Sequence, residues 1–444
     1  MNKKILIILS ILGLLLLVGG FTYISKSKSG TTSNQITPGS GVSFKDFVPF
    51  GGFKTAPINT DTPTDTNPTI PVDTNPITNT DQPSLRKISN DASSGMIALT
   101  LKRPLTVTDT TETSSLTATV TKGKSTPLPT TEDVESVRYV DKATGHVFQT
   151  YLDTIFPEMI SNTTIPKIHS SLFISKGEGV INRYIDDTTI DIQSYSGILT
   201  KDSTGSYTSI IGSFLPKNIP DISVSMDTLK YFYLTNTEGG VTGTMVDTVS
   251  KKNTQVFVSQ FTEWLSQFAN PKLITVTTKA SARALGYMYA IDPSIKSFDK
   301  VLGGITGLTT LTSPDGNKIL YSNSINNGFV LNIYDKKTKQ AFNLGLTTLP
   351  EKCVWAQDSS TAYCSVPSII PKGEYPDVWY QGIVSFSDAL WKLDPINNVF
   401  QLVYDPSKEN GEIFDGVNLT LSTKNTYLLF QNKKDDQLWA LTLK

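Results

Sequence analysis

A strand ending at an aspartate, a polar turn, and a second strand opening on an aromatic recur along this chain. A repeat limits the available folds more than any single motif does. The form is clearest in LNIYDKKTKQAFNL, residues 331–344, where Asp335 opens the turn and Phe342 starts the return strand. It recurs without a gap in VRYVDKATGHVFQT, residues 137–150, around Asp141. Shorter copies run from Tyr289 through Asp292 to Phe298 and from Trp391 through Asp394 to Phe400. A looser one runs from Met245 through Asp247 to Phe257. Aspartate at the head of a turn bonds its own backbone, so each copy reads as a hairpin.

Upstream of these hairpins lies a second recurring piece, a strand, a tight turn and a strand. It appears as TLTSPDGNKILYS at residues 310–322, and again around Asp227, Asp358 and Lys424. Together the two pieces make a four-stranded unit of about 35 to 60 residues, and such units stacked around an axis are propeller blades. The run Ser313, Pro314, Asp315, Gly316, Asn317, Lys318 followed by Ile319, Leu320 and Tyr321 resembles the repeat of TolB-like and WD40-like beta-propellers. That resemblance implies a fold and a repeat, and no activity, because the fold serves binders and enzymes alike.

The expected fold class is therefore all-β, a seven-bladed propeller with six or eight blades as the alternatives. The first unit is placed at residues 95–152, with a Thr/Ser-rich insertion near 104–133. Others follow near 165–215, 220–260, 272–304, 307–346 and 351–404. The last, from about Gly416, supplies three strands before the sequence stops. An unpaired outer edge invites association. Residues 84–89, SLRKIS, are similar to the outer strand SFDKVL at 297–302, and the reading is that they complete the last blade and close the ring. One stretch departs from strand patterning. Phe257, Phe261, Trp264, Leu265 and Phe268 fall at helical spacing before Asn270 and Pro271, which predicts one or two helical turns capping an inter-blade cleft.

Ahead of the propeller, residues 1–29 read as an N-terminal transmembrane anchor. The apolar run 5–24 is flanked by Lys3, Lys4, Lys26 and Lys28. About twenty helical residues span roughly 30 Å, the hydrocarbon thickness of a bilayer. Bulky Phe21, Tyr23 and Ile24 follow the small pair Gly19 and Gly20, which favours an uncleaved anchor over a signal peptide. Residues 30–83 are rich in Thr, Pro, Ser, Gly and Asn and predict a disordered linker. Within it Phe44, Phe47, Phe50 and Phe53 recur every third residue, either resting on an interface or serving as a docking motif. The propeller domain takes residues 84–444.

Chemical signals are sparse. Net charge is −1 and no basic block exists, which argues against nucleic acid as a partner. GKST at residues 123–126 imitates the end of a phosphate loop, but Ala118 stands where its first glycine belongs. His146 falls in a hairpin turn and His169 in a strand, neither at metal-ligand spacing, so no metal, cofactor or catalytic residue is assigned. Around a turn at Asp358 and Ser359 the register places Cys353 opposite Cys364, which predicts a disulfide and an oxidising exterior. The segment 367–387 interrupts the sixth unit and carries Tyr375, Trp379 and Tyr380. These rigid aromatics suit a binding surface or the packing of the loop onto its own blade.

The sequence thus describes a single-pass membrane protein whose bulk is extracytoplasmic, binding or scaffolding a protein of the cell envelope. An envelope hydrolase acting on glycans or peptides through the funnel, and an architectural surface component, are the alternatives.

Overall fold

The computed structural model describes residues 84–105 and 130–443. The anchor at 1–29, the linker at 30–83 with its phenylalanine series, and GKST at 123–126 lie outside the described residues. No helix among the described residues is long and apolar enough to cross a membrane.

Among the described residues, twenty-eight strands form seven antiparallel sheets of four, each running from an innermost to an outermost strand. This is a seven-bladed propeller. The seven innermost strands begin at Ser93, Ile168, Ile222, Trp264, Thr310, Cys353 and Gly416. Alternation along the strands turns apolar side chains toward both neighbouring blades, so each seam between blades has its own core. Phe232, Phe257, Trp264 and Ile274 fill the seam between blades 3 and 4. Ile88, Val137, Leu429 and Leu438 fill the one between blades 7 and 1.

Ring closure occurs as the sequence predicts. Leu85–Lys87 is the outermost strand of the last blade, pairing with Leu438–Thr442, and Leu85 faces Leu441 while Lys87 faces Trp439. The Ser84 carbonyl accepts from the Thr442 amide at 3.0 Å, and Ile88 donates to Leu438 at 2.8 Å. The chain then crosses to the innermost strand of blade 1, and the Glu135 carboxylate on the second strand of that blade accepts from the Lys424 amide of blade 7 at 2.7 Å.

The aspartate turns share one geometry. Asp247 accepts from the amides of Val249 and Ser250, and Asp335 from those of Lys337 and Thr338, at 2.7 to 3.0 Å. Asp394 accepts from the amides of Ile396 and Asn397 at 3.1 to 3.2 Å, and Asp292 from that of Ser294 at 2.9 Å. Four residues after each aspartate the backbone turns left-handed, at Lys251, Lys296, Lys339 and Asn398. In the other repeated turn, the Ser225 and Ser313 hydroxyls accept from the amides of Lys230 and Lys318 at 3.0 Å. Three residues on, Thr228 and Gly316 are left-handed. Asp186 is the strongest case, its carboxyl drawn down to about 2 chiefly by the Thr188 hydroxyl and amide.

Four points differ from the sequence reading. Residues 257–268 form no helix: Asn253–Ser259 and Trp264–Asn270 are strands. A spacing of four is even, so it is in phase with a strand as well as a helix, and Trp264 and Phe268 share the buried face. Blade 4 therefore starts at Trp264 rather than 272. Blade 1 extends to a fourth strand, Glu158–Ser161. Its hairpin at Asp141 joins the second strand to the third, whereas the hairpin at Asp335 joins the third to the fourth. The insertion in blade 1 falls where it was read, between Ser93–Pro104 and Thr131–Asp141, which pair along their length.

Two outcomes follow. Removing residues 1–80 leaves the melting midpoint of the domain unchanged, whereas removing 1–92 lowers it and promotes association, read by calorimetry and size-exclusion chromatography. The second truncation strips both the closing strand and buried Ile88, whose burial alone contributes about 1.5–3 kcal/mol. On acidification the turn aspartates lose their hydrogen bonds. Their folded pKa values lie below the unfolded value of about 3.9, so their contribution is complete above it and fades as pH falls toward about 2. Thermal melts should therefore fall steeply between about pH 4 and pH 2, and not between pH 7 and pH 5.

Candidate functional site

The insertion of blade 6 lies between the strands Ala362–Pro367 and Asp388–Asp394 and carries one helical turn, Asp377–Tyr380. Its aromatics face inward. Tyr375 is 0 % exposed and Trp379 4 %, packed with Phe329, Leu349 and Phe386. The Tyr375 hydroxyl donates to the Pro371 carbonyl at 2.7 Å. Tyr380 keeps 38 % exposure and donates its hydroxyl to Glu351. Of the three residues that read as a possible binding surface, two are therefore buried, packing the loop against Phe329 of blade 5 and Leu349 ahead of blade 6.

Polar contacts extend this insertion into a strap across one face of the ring. The Asp377 carboxylate accepts from the Ala282 amide at 2.7 Å, and Glu374 clamps the Arg283 guanidinium at 2.7 to 2.9 Å, both in blade 4. Gly373 donates to the Asn327 carbonyl of blade 5 at 2.9 Å. Lys433 of blade 7 donates to the Trp379 carbonyl at 2.6 Å.

Beneath the strap is a buried charge cluster. Lys352, 0 % exposed, meets Asp388 Oδ2 at 2.7 Å and Asp415 Oδ1, and donates to the Gly416 carbonyl at 3.0 Å. Burial pushes the Asp388 carboxyl up to about 6 against the pull of Lys352, and Asp415 adds to the rise. Burial also raises Asp415, but Lys352 and the donors around it outweigh that and hold it below the usual range. The hydrolase alternative calls for paired carboxylates, and this pair is buried, with Asp388 at 3 % and Asp415 at 0 % exposure.

The open site lies on the same face, between blades 3 and 4. A cleft of about 610 Å³ is lined by Phe261, Trp264, Lys279, Leu285, Tyr287 and Tyr289, among others. Phe261, in the connection leaving blade 3, is 73 % exposed, and Leu285 is 56 % exposed. Trp264 forms the fixed wall. Its indole N–H donates to the Phe261 carbonyl at 2.9 Å, its ring meets Tyr289 edge-on at 5.8 Å, and Tyr289 stacks on Phe298 at 4.3 Å. Tyr287 pairs with Gly303, where an added Cβ would come within 2.6 Å of the ring. Two β-bulges in this one ladder flank Tyr287 and Tyr289, and bulges re-aim side chains beside functional sites. Lys279 and Leu285 bracket the loop that the strap grips at Ala282 and Arg283, so the strap positions one wall of the cleft.

Other expected positions are settled simply. Cys353 and Cys364 form the disulfide, directly opposite in register with Cα atoms 4.0 Å apart. His146 sits in its turn and bonds Thr164, and His169 lies in a strand. Among the described residues no group of His, Cys, Asp or Glu has the arrangement of a metal site. Sequence reading placed Phe261 and Trp264 at an inter-blade cleft as part of a helical cap, took Tyr289 only as the start of a hairpin, and missed Tyr287, whose signal was the alternation Tyr-Met-Tyr at the head of a strand.

Comparison with known proteins returns the fold alone. No protein-family model matches the chain, and no curated relative matches it. Among solved structures, an oligogalacturonate lyase in complex with manganese is 11 % identical over 70 % of this chain and 86 % of its own, with a TM-score of 0.43. TolB from Acinetobacter baumannii is 13 % identical over 68 % and 61 %, with a TM-score of 0.37. The beta-propeller domain of the Trilobed protease from Pyrococcus furiosus, which has an open velcro topology, is 12 % identical over 69 % and 91 %, with a TM-score of 0.44.

Replacing Asp377 by Ala frees the Ala282 amide and loosens the cleft wall. Hydrogen exchange should quicken across residues 279–285 and stay unchanged in blades 1 and 2.

Proposed function

We propose that this chain is a binding module of the cell envelope, held at the membrane by residues 1–29 and docking a protein partner in the cleft between blades 3 and 4. The observation that carries the reading is Phe261, a large aromatic left in solvent above a cleft with a fixed Trp264 wall. Buried aromatics supply most of the energy of a protein interface, and exposed ones rimmed by polar groups mark where such an interface forms. Glu263 and Lys279 pair at 3.4 Å on the rim, both well exposed, as rim charges are in protein contacts. The disulfide at Cys353 and Cys364 supports an oxidising address, and the apolar run 5–24 supports the tether.

The test is a photoreactive phenylalanine analogue at position 261 in native membranes, with position 156 on blade 1 as an equally exposed control. A discrete adduct from 261 alone is expected, and it should vanish with Leu285→Asp. With the isolated partner, Phe261→Asp should weaken binding by about 2 kcal/mol or more, roughly thirtyfold. Equal labelling from 261 and 156 would remove the cleft as the docking site.

A further inference from the structure

The charge cluster under the strap holds more than an ion pair requires. The Lys352 ammonium touches Asp415 Oδ1 inside a pocket walled by Trp379 and Phe386, whose ring centroids each lie 5.3 Å from Nζ. Three donors converge on the other oxygen, Asp415 Oδ2: the Trp379 indole at 3.0 Å, the Phe386 amide at 3.0 Å and the Ser385 hydroxyl at 3.1 Å. A second carboxyl, Asp388, reaches the same nitrogen through Oδ2 at 2.7 Å. Its Oδ1 is buried and has no hydrogen-bond partner among the described residues. An amine, a carboxyl, a three-donor oxyanion pocket and an adjacent proton carrier are thus assembled out of water.

We propose that Lys352 and Asp415 condense into an intramolecular isopeptide bond, with Asp388 carrying the proton. Transfer of a proton within the ion pair leaves an amine on Lys352 and a carboxylic acid on Asp415. This neutral form is the minor one, because Lys352 and the donors around it hold the Asp415 carboxyl low, and the condensation draws on it as it is consumed. The Nζ lone pair attacks Asp415 Cγ, forming the N–C bond and placing negative charge on Oδ2, where the three donors stabilise it as an oxyanion hole does. Asp388 takes a proton from the nitrogen and returns it to Oδ1, the Cγ–Oδ1 bond breaks, and water leaves. Ammonium plus carboxylate becomes amide plus water, so the step balances without oxidant, metal or cofactor.

The position of Asp388 fits that task. Burial raises its carboxyl to about 6, within reach of both protonation states near neutral pH. Holding the reacting groups in contact replaces a bimolecular encounter, which is how unactivated groups react without an enzyme. Trp379, Ser385 and Phe386 all come from the strap, so this segment supplies much of the pocket. The bond would join the connection entering blade 6 to the one entering blade 7, beside the Cys353–Cys364 disulfide.

Peptide mapping of the full chain decides it. Trypsin does not cleave after an acylated lysine, so the expected digest contains residues 340–372 joined to 409–424, one water lighter than their sum after reduction of the disulfide. Fragmentation should place the link between Lys352 and Asp415. Separate peptides ending at Lys352 and spanning an unmodified 409–424 would overturn the bond. Asp388→Asn keeps the size of the side chain and removes the carrier. In monomeric, cooperatively melting protein it should yield the separate peptides, and a joined peptide in that variant would overturn the role given to Asp388.

Discussion

A ring of seven sheets is weakened by any open seam, because every blade buries its two faces only against its neighbours. The pairing of Leu85–Lys87 with Leu438–Thr442 is therefore the contact on which the others depend. Three residues of ladder are a short strand. Their effect comes from what they place alongside: Ile88 in the seam between blades 7 and 1, and the chain continuing directly into the innermost strand of blade 1. Joining the two ends within one sheet lets the ends of the domain support each other, and it covers an outer edge that would otherwise template association.

The repeat was legible because its signals are local. Aspartate heads a turn by bonding its own backbone, and the hydrogen bonds at Asp247, Asp292, Asp335 and Asp394 realise that chemistry. The left-handed residue four positions later was not legible, because Lys251, Lys296 and Lys339 occupy it instead of glycine. Turn hydrogen bonding and strand pairing hold these lysines in a conformation that their own preference disfavours. The phase of a hairpin within its blade was also hidden. Asp141 and Asp335 carry the same local signature at different turns of the sheet, since a local motif does not encode how many strands precede it.

Aromatic residues misled for a different reason. Burial of Tyr375 and Trp379 follows from partners far away in sequence, Phe329 and Leu349. Nothing within the loop distinguishes rings that reach a core from rings left in solvent. Phe261 was legible as a member of an inter-blade cluster, but the spacing of its neighbours fits a helix and a strand equally. Only the crossover from the outer strand of blade 3 to the inner strand of blade 4 decides that it stands in solvent.

The strap connects these observations. One insertion contributes Trp379, Ser385 and Phe386 to the enclosure of Lys352 and Asp415, and Glu374 and Asp377 to the grip on blade 4. The loop it grips forms the Lys279 and Leu285 wall of the cleft. Exposed ion pairs such as Arg283 with Glu374 contribute little by themselves, about 1 kcal/mol or less. A loop tethered by such contacts stays in place only if the tethering element is itself immobile. The sequestered cluster meets that need, because moving the strap would expose Trp379 and Phe386 and strip the donors from a buried carboxylate, a far larger cost. Rigidity at the closing blades is in this way transmitted across the face to an open cleft between blades 3 and 4, whose wall has few buried anchors of its own.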